Sequence, residues 1–226
     1  MLISFEKVSK LYSNQTKALD TATFAVDGGE FVFLVGPSGA GKTTLLRLLI
    51  RDLIPSSGKI LLDKEDILKL KKSQIPQLRR KIGMIFQDFK LLSDRTVHEN
   101  VGIALEILGK NKKEIDKKVG EVLHLVGLTD KMYLFPAQLS AGELQRSAIA
   151  RAIISGPKIL LADEPTGNLD PTTAWEILKI LKEINKFGTT VLMATHNADV
   201  VNSMKKRVIS MDKGKIVKDQ KEGKYH

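Results

Sequence analysis

Two short runs carry residue types that handle phosphate. Gly36-Pro37-Ser38-Gly39-Ala40-Gly41-Lys42-Thr43 has the spacing GxxxxGK[ST], directly after the apolar run Phe31 to Val35 and directly before Thr44-Leu45-Leu46-Arg47-Leu48-Leu49. Glycines at 36, 39 and 41 let the backbone bend tightly and turn successive N–H groups toward an anion. The helix that follows adds its positive end, Lys42 reaches the outer phosphates, and Thr43 is left to hold magnesium. A glycine-rich strand-to-helix turn with a lysine reaching into solvent is the bland alternative, and eight matched positions in that setting weigh against it. The second run, Ile159-Leu160-Leu161-Ala162-Asp163-Glu164, is an apolar strand that ends in two carboxylates. At the carboxyl edge of a parallel sheet such a pair faces bound phosphates: Asp163 steadies magnesium through water, and Glu164 polarises the water that attacks the terminal phosphate.

Other residues are ambiguous when read locally. Ser140-Ala141-Gly142-Glu143 forms a capping box, with Ser140 as cap and Glu143 reaching back, yet a helix start with open backbone is also an anion site. Asp170 before Pro171 reads as a helix cap. His196 closes the strand Thr189 to Thr195; a histidine there either serves structure or hydrogen-bonds a transferring phosphate. Gln87 follows the strand Ile82 to Phe86, where a neutral amide either ligates magnesium or closes a turn.

The elements that must position these groups alternate between strand and helix. Buried strands are expected at 31 to 35, 82 to 86, 158 to 162 and 189 to 195, which predicts an α/β fold around a mainly parallel sheet. Brief strands at 2 to 8, 22 to 26 and 59 to 62 suit a small antiparallel patch beside it. From about 96 to 156 the strand signal gives way to three helices. The first opens on the capping box Thr96 to Glu99 and ends at Gly109, the second opens on Asn111 with Glu114 and closes at Gly127, and the third starts at Ser140 and stops before Gly156-Pro157. The chain then reads as one domain. Residues 1 to 95 and 157 to 226 form the phosphate-binding lobe, a helical lobe is inserted between them, and Val208 to Val217 forms a terminal hairpin.

A length of 226 residues with 42% apolar residues suffices for one sizeable core. No apolar stretch approaches the roughly 18 residues that span a bilayer, and the start of the chain, with Glu6, does not read as a secretory signal. Zero cysteines removes disulfides, thiolate metal sites and cysteine nucleophiles together. The net charge of +10 is concentrated. Residues 64 to 81 hold seven Lys or Arg against two acids, and 205 to 226 hold eight against three. Such flanks either solvate a face or meet anionic lipid. Nucleic acid is disfavoured, because few aromatics interleave the lysines as stacking on single strands requires.

In their order and spacing these pieces resemble an ABC ATPase of the P-loop NTPase (RecA-like) fold over essentially the whole chain. In family terms Tyr12 is similar to the aromatic that stacks on adenine, and GPSGAGKT is the Walker A loop, with Thr44 after it. Gln87 sits at the Q-loop, LSAGE at 139 to 143 is the signature, LLADE is Walker B, NLD with Asp170 is the D-loop, and His196 is the switch histidine. The resemblance implies Mg2+-dependent ATP hydrolysis to ADP in a head-to-tail homodimer. Ser140 and Gly142 of one copy then meet the phosphate held by the other. Here Ala141 and Glu143 depart from the usual signature LSGGQ, and Ala141 adds a methyl where backbone approach matters. The runs around Ile75 to Asp88, LLSDRTVHENV, PTGNLD and TVLMATHN are most similar to the cell-division subgroup. That subgroup implies a polytopic membrane partner, peripheral attachment to the cytoplasmic side of the membrane, and signalling rather than solute transport. Lipoprotein-releasing, macrolide-export and amino-acid-import cassettes are the alternatives, and a DNA-linked cassette is disfavoured by the lack of a long heptad run or cysteines. The family docks its partner just after the Q-loop, where Phe89, Leu91 and Leu92 are apolar residues in a loop.

Overall fold

The computed structural model describes residues 1–225. Its centre is a six-stranded sheet in which β3 (Phe31–Val35) pairs in parallel with β8 (Thr190–Thr195) and with β9 (Arg207–Asp212). Outward from β8 follow β7 (Ile159–Asp163) and β6 (Ile82–Ile85), both parallel, while β10 (Lys215–Gln220) closes the other edge antiparallel to β9. The central strands β3, β7 and β8 lack polar alternation because both faces are covered. Phe31, Phe33 and Val35 of β3 enter the core shared with the helical lobe, whereas Val32 and Leu34 point to the opposite core under α1 (Lys42–Leu49). Leu45, Leu46, Leu48 and Leu49 of α1 are fully buried there, each adding about 1.5–3 kcal/mol of apolar burial.

The second sheet is antiparallel, ordered β2 (Lys17–Val26), β1 (Ile3–Leu11), β4 (Ser57–Leu62) and β5 (Glu65–Asp66). Its strands are longer than the brief segments expected at 2 to 8 and 22 to 26. The ladder continues past two kinks, at Lys7 (φ 49°) and Thr21 (φ 50°), where side chains replace ladder partners. Lys7 N–H donates to Thr23 Oγ1 at 3.0 Å and Thr21 N–H donates to Ser9 Oγ at 2.9 Å. Pairing between distant segments, not local propensity, extends these strands. Phe5 and Phe24 stack across the pair at 4.8 Å.

Short α2 (Ile75–Arg80) leads into β6, and the helical lobe follows as α3 (Val97–Ile107), α4 (Lys112–Leu125) and α5 (Ala141–Ile153). All three of these start on the expected capping boxes: Thr96 with Glu99, Asn111 with Glu114 and Ser140 with Glu143. After β7 comes α6 (Pro171–Lys186), and after β8 comes α7 (Ala198–Met204). The terminal hairpin is present, turning at Lys213 (φ 44°) and Gly214 (φ 80°). Among the described residues, five of the seven α-helices open on a side-chain cap; α1, entered from Gly41 in a left-handed conformation, has none. Its first N–H groups are therefore free to meet something other than the protein.

Candidate functional site

The loop from Gly36 to Gly41 runs from the end of β3 into α1, at the carboxyl edge of the parallel sheet. Two of its glycines answer to neighbours rather than to phosphate. At Gly36 (φ 153°) a Cβ would lie 2.3 Å from Met211 O, and at Gly41 (φ 104°) 2.4 Å from Ala18 O, so the loop is wedged between β9 and β2. Lys42 is buried, and its ammonium curls back to donate to Gly36 O at 2.7 Å and Pro37 O at 3.2 Å.

Beside it, Thr43 Oγ1 donates to Asp163 Oδ1 at 3.0 Å, joining the first turn of α1 to the end of β7. Burial pushes the Asp163 carboxyl above its ordinary value of 3.8, and the charge of Glu164 adds to this. The Thr43 hydrogen bond and the Lys42 charge oppose it. Glu164 is a sharper feature than the sequence suggests. Its φ is 47°, a left-handed conformation costing about 1–2 kcal/mol for a residue with a side chain. Strain of this kind collects at functional sites. The backbone is held there because Glu164 N–H donates to Ala194 O at 3.0 Å and Gly167 N–H to Glu164 O at 3.1 Å. The resulting corner puts the Glu164 carboxylate 2.8 Å from His196 Nδ1 and 3.8 Å from Lys42 Nζ.

Lys42, Thr43, Glu164 and His196 open onto one cleft of about 650 Å3, which Asp163, behind Thr43, does not line. Pro37, Ser38, Gly39, Ala40, Gly41, Lys42, Thr43 and Thr44 line it, and so do Tyr12, Gln87, Glu164 and His196. Gly36 does not. The Tyr12 hydroxyl lies 3.2 Å from Thr44 Oγ1, which fixes its ring at the mouth. Sequence reasoning missed Thr16, Lys17 and Ala18, which line the cleft from the start of β2, and Tyr225 at its rim. Tyr225 is held by Asn202 of α7, which accepts from Tyr225 N–H at 2.8 Å and donates to Tyr225 O at 2.9 Å. No local signal marks any of these four, since only tertiary pairing brings them here. Oxygen-rich groups and one buried cation facing an uncapped helix form a receptacle for a polyphosphate.

Residues 19–167 match the sequence model of the ABC transporter family. The chain belongs to that family. The cell division ATP-binding protein FtsE of Bacillus subtilis is 52% identical over 224 residues, covering 99% of this chain and 98% of that protein. FtsE of Escherichia coli is 48% identical over 215 residues, covering 95% and 97%. Among solved structures, the dimeric post-hydrolysis state of the ATP-binding cassette MJ0796 bound to ADP and Pi superimposes with a TM-score of 0.90. It is 33% identical and covers 99% of this chain and 100% of that one. The fold is that of an ABC ATPase cassette.

The signature residues of this cassette stand apart from its own cleft. Ser140, Ala141, Gly142 and Glu143 open α5 and are not among the cleft-lining residues. Ser140 Oγ accepts from Glu143 N–H at 3.3 Å, and the Glu143 carboxylate accepts from Ser140 N–H at 2.8 Å, which holds its pKa below the ordinary value. Ala141 is exposed, but Gly142 is buried: a Cβ there would meet Thr173 Cγ2 of α6 at 2.5 Å, so this glycine also lets two helices approach. Asp170 caps α6 by accepting from Thr173 N–H at 3.0 Å. Of the three residues expected to dock a partner, Phe89 and Leu91 are half-buried and Leu92 is 40% exposed. None of the three lines the apolar groove of about 530 Å3 next to them. Met84, Phe86, Ala104, Ile107 and Leu108 form its floor, with Arg80 and Lys90 among its cations. No helix among the described residues is long and apolar enough to cross a membrane.

Proposed function

We propose that the chain is the Mg2+-ATP-hydrolysing subunit of a cell-division membrane complex, working as an ATP-dependent homodimer with an FtsX-like polytopic partner. The observation that carries the chemistry is the corner at Glu164, which points one carboxylate at both His196 Nδ1 and Lys42 Nζ inside the cleft. Lys42 leaves its own loop's carbonyls for the β- and γ-phosphates, and the uncapped N-terminus of α1 adds its dipole. Tyr12 stacks on the adenine. Glu164 orients the attacking water and accepts its proton density, while His196, fixed through Nδ1, offers its remaining ring nitrogen toward the γ-phosphate.

The donor set beside the phosphates suits a hard cation, being hydroxyl, carboxylate and amide oxygen from Thr43, Asp163 and Gln87. Bound there, Mg2+ neutralises charge on the transferring phosphoryl group. Ser140 and Gly142 are supplied in trans, with Asp170 at the same interface, and the dimeric cassettes of the same fold support this pairing. Identity to FtsE proteins along the whole chain supports the cell-division setting over exporter or importer complexes. Docking falls to the groove floored by Met84, Phe86 and Ile107 together with Leu92. The membrane association is peripheral, from the cytoplasmic side.

The Glu164→Gln chain tests the reading directly. It is expected to bind ATP, to sediment as a dimer with ATP and to lose hydrolysis by about a hundredfold or more. Ordinary turnover in that variant removes Glu164 from the role.

A further inference from the structure

The loop that carries Gln87 into the cleft makes an unusual turn directly afterwards. Phe89 (φ 58°) and Lys90 (φ 50°) are consecutive residues with side chains in the left-handed region, where Cβ crowds the following carbonyl. Neither is glycine, so contacts have to hold the kink. Within the loop Phe89 N–H donates to Phe86 O at 3.2 Å and Lys90 N–H to Asp88 O at 2.6 Å, and a further contact comes from outside it. Arg151 of α5 donates through Nη2 to Phe89 O at 2.7 Å and through Nη1 to Lys90 O. A planar guanidinium fork matches two successive carbonyls in a way that a single ammonium does not. Arg151 has no carboxylate partner among the described residues, and burial pushes its pKa down, so its charge is answered there by those two carbonyl dipoles.

The far end of the same loop is tied independently. Asn100, fully buried on α3, accepts from Leu92 N–H at 2.8 Å and donates to the carbonyls of Leu92, Arg95 and Thr96, each at 3.0 Å. Gln87 is thus left as the exposed end of a strap that is fixed behind it. The helix that supplies the fixing arginine is the one that opens at Ser140, about 16 Å away along its axis at 1.5 Å per residue.

We infer that Arg151 is a positioning residue of the ATP site: by clamping the left-handed kink at Phe89 and Lys90 it presents Gln87 to the cleft, and it ties that presentation to the position of the signature helix. This rests on the ATP-site reading above.

The test uses the full-length chain with ATP, comparing wild type, Arg151→Ala, Lys90→Gly and the double variant. Arg151→Ala is expected to raise amide hydrogen exchange of residues 87 to 92 by about tenfold or more. Its kcat falls by a similar factor while KM moves little. Glycine enters the left-handed region without the steric penalty, so Lys90→Gly added to Arg151→Ala is expected to recover most of the lost kcat and exchange protection. A merely structural role predicts a lower melting temperature and no such recovery, and that result overturns the inference. So does unchanged exchange in a folded Arg151→Ala chain. Should that variant fail to fold, Arg151→Lys is read by the same two measures. A wild type without ATP hydrolysis would sink the proposed function instead, and the exchange comparison still decides whether Arg151 holds the loop.

Discussion

Asp163 carries a cost in the nucleotide-free chain. Its carboxyl is buried, accepts one hydrogen bond from Thr43 and has its pKa raised above 3.8, chiefly by burial. The unfolded chain therefore gives up this proton more readily than the folded one. The group costs nothing well below pH 3.8; its penalty grows as pH rises from there toward the raised folded value and levels off above it. Asp163→Asn keeps an acceptor for Thr43 and removes the charge. We expect it to raise the neutral-pH melting temperature of the nucleotide-free chain by a few degrees, as a gain of about 1 kcal/mol would. On the proposed function the same change is also expected to abolish ATP hydrolysis, which a phosphate-release assay checks. The gain should shrink as pH is lowered toward 3.8, and calorimetry across pH checks it. A lower melting temperature for the Asn variant at pH 7 would mean that the carboxylate is compensated in the folded state.

At the scale of elements, the buried amide of Asn100 does for the 92–96 loop what a short helix would do internally: it satisfies one N–H and three carbonyls. Asn100→Ala leaves Leu92 N–H and Arg95 O without their partner, while Leu92 O and Thr96 O keep backbone donors, and it is expected to cost about 2 kcal/mol in urea unfolding. Exchange should speed up in 92–96 before it does so in α3. Equal protection in that loop would show that Asn100 is not its anchor. This residue also marks the limit of what was legible in the chain. Elements fixed by nearby residues were readable, because Thr96 and Glu99, Asn111 and Glu114, and Ser140 and Glu143 sit within one turn of each other. The phosphate loop was readable for the same reason. Features fixed across the fold were not. Gly36 reads as a phosphate turn, yet its missing side chain makes room for Met211, 175 positions later. The left-handed corner at Glu164 depends on Ala194, and the kink at Phe89 and Lys90 depends on Arg151. Periodicity places an apolar residue on a face, but it does not reveal that Met84, Phe86 and Ile107 line one groove from which Phe89 and Leu91 are absent.

At the scale of the whole molecule, the net charge of +10 is distributed in a way that the sequence could not order in space. The run 64 to 81 ends in α2, which feeds β6 at one edge of the central sheet, whereas the run from 205 onward belongs to β9 and β10 at the other edge. Five strand spacings separate the outer strands, about 24 Å, more than twice the Debye length at 0.1 M salt. The two basic runs therefore do not act as one patch. Two cations of the second run are already engaged within the fold: Arg207 with Glu30 and Asp219, and Lys215 with Asp20. Arg80, by contrast, is exposed and lines the apolar groove. If the groove side faces the membrane, Arg80→Glu should weaken binding to anionic vesicles or to the membrane partner by roughly tenfold or more at low salt, since each basic residue near such a surface contributes about 1 kcal/mol. Lys218→Glu, an equal charge change on exposed β10, should leave that binding nearly as it was. Co-sedimentation with vesicles at two salt concentrations separates the cases. Equal losses from both variants would mean that only net charge matters and that the groove edge has no preferred orientation toward the membrane.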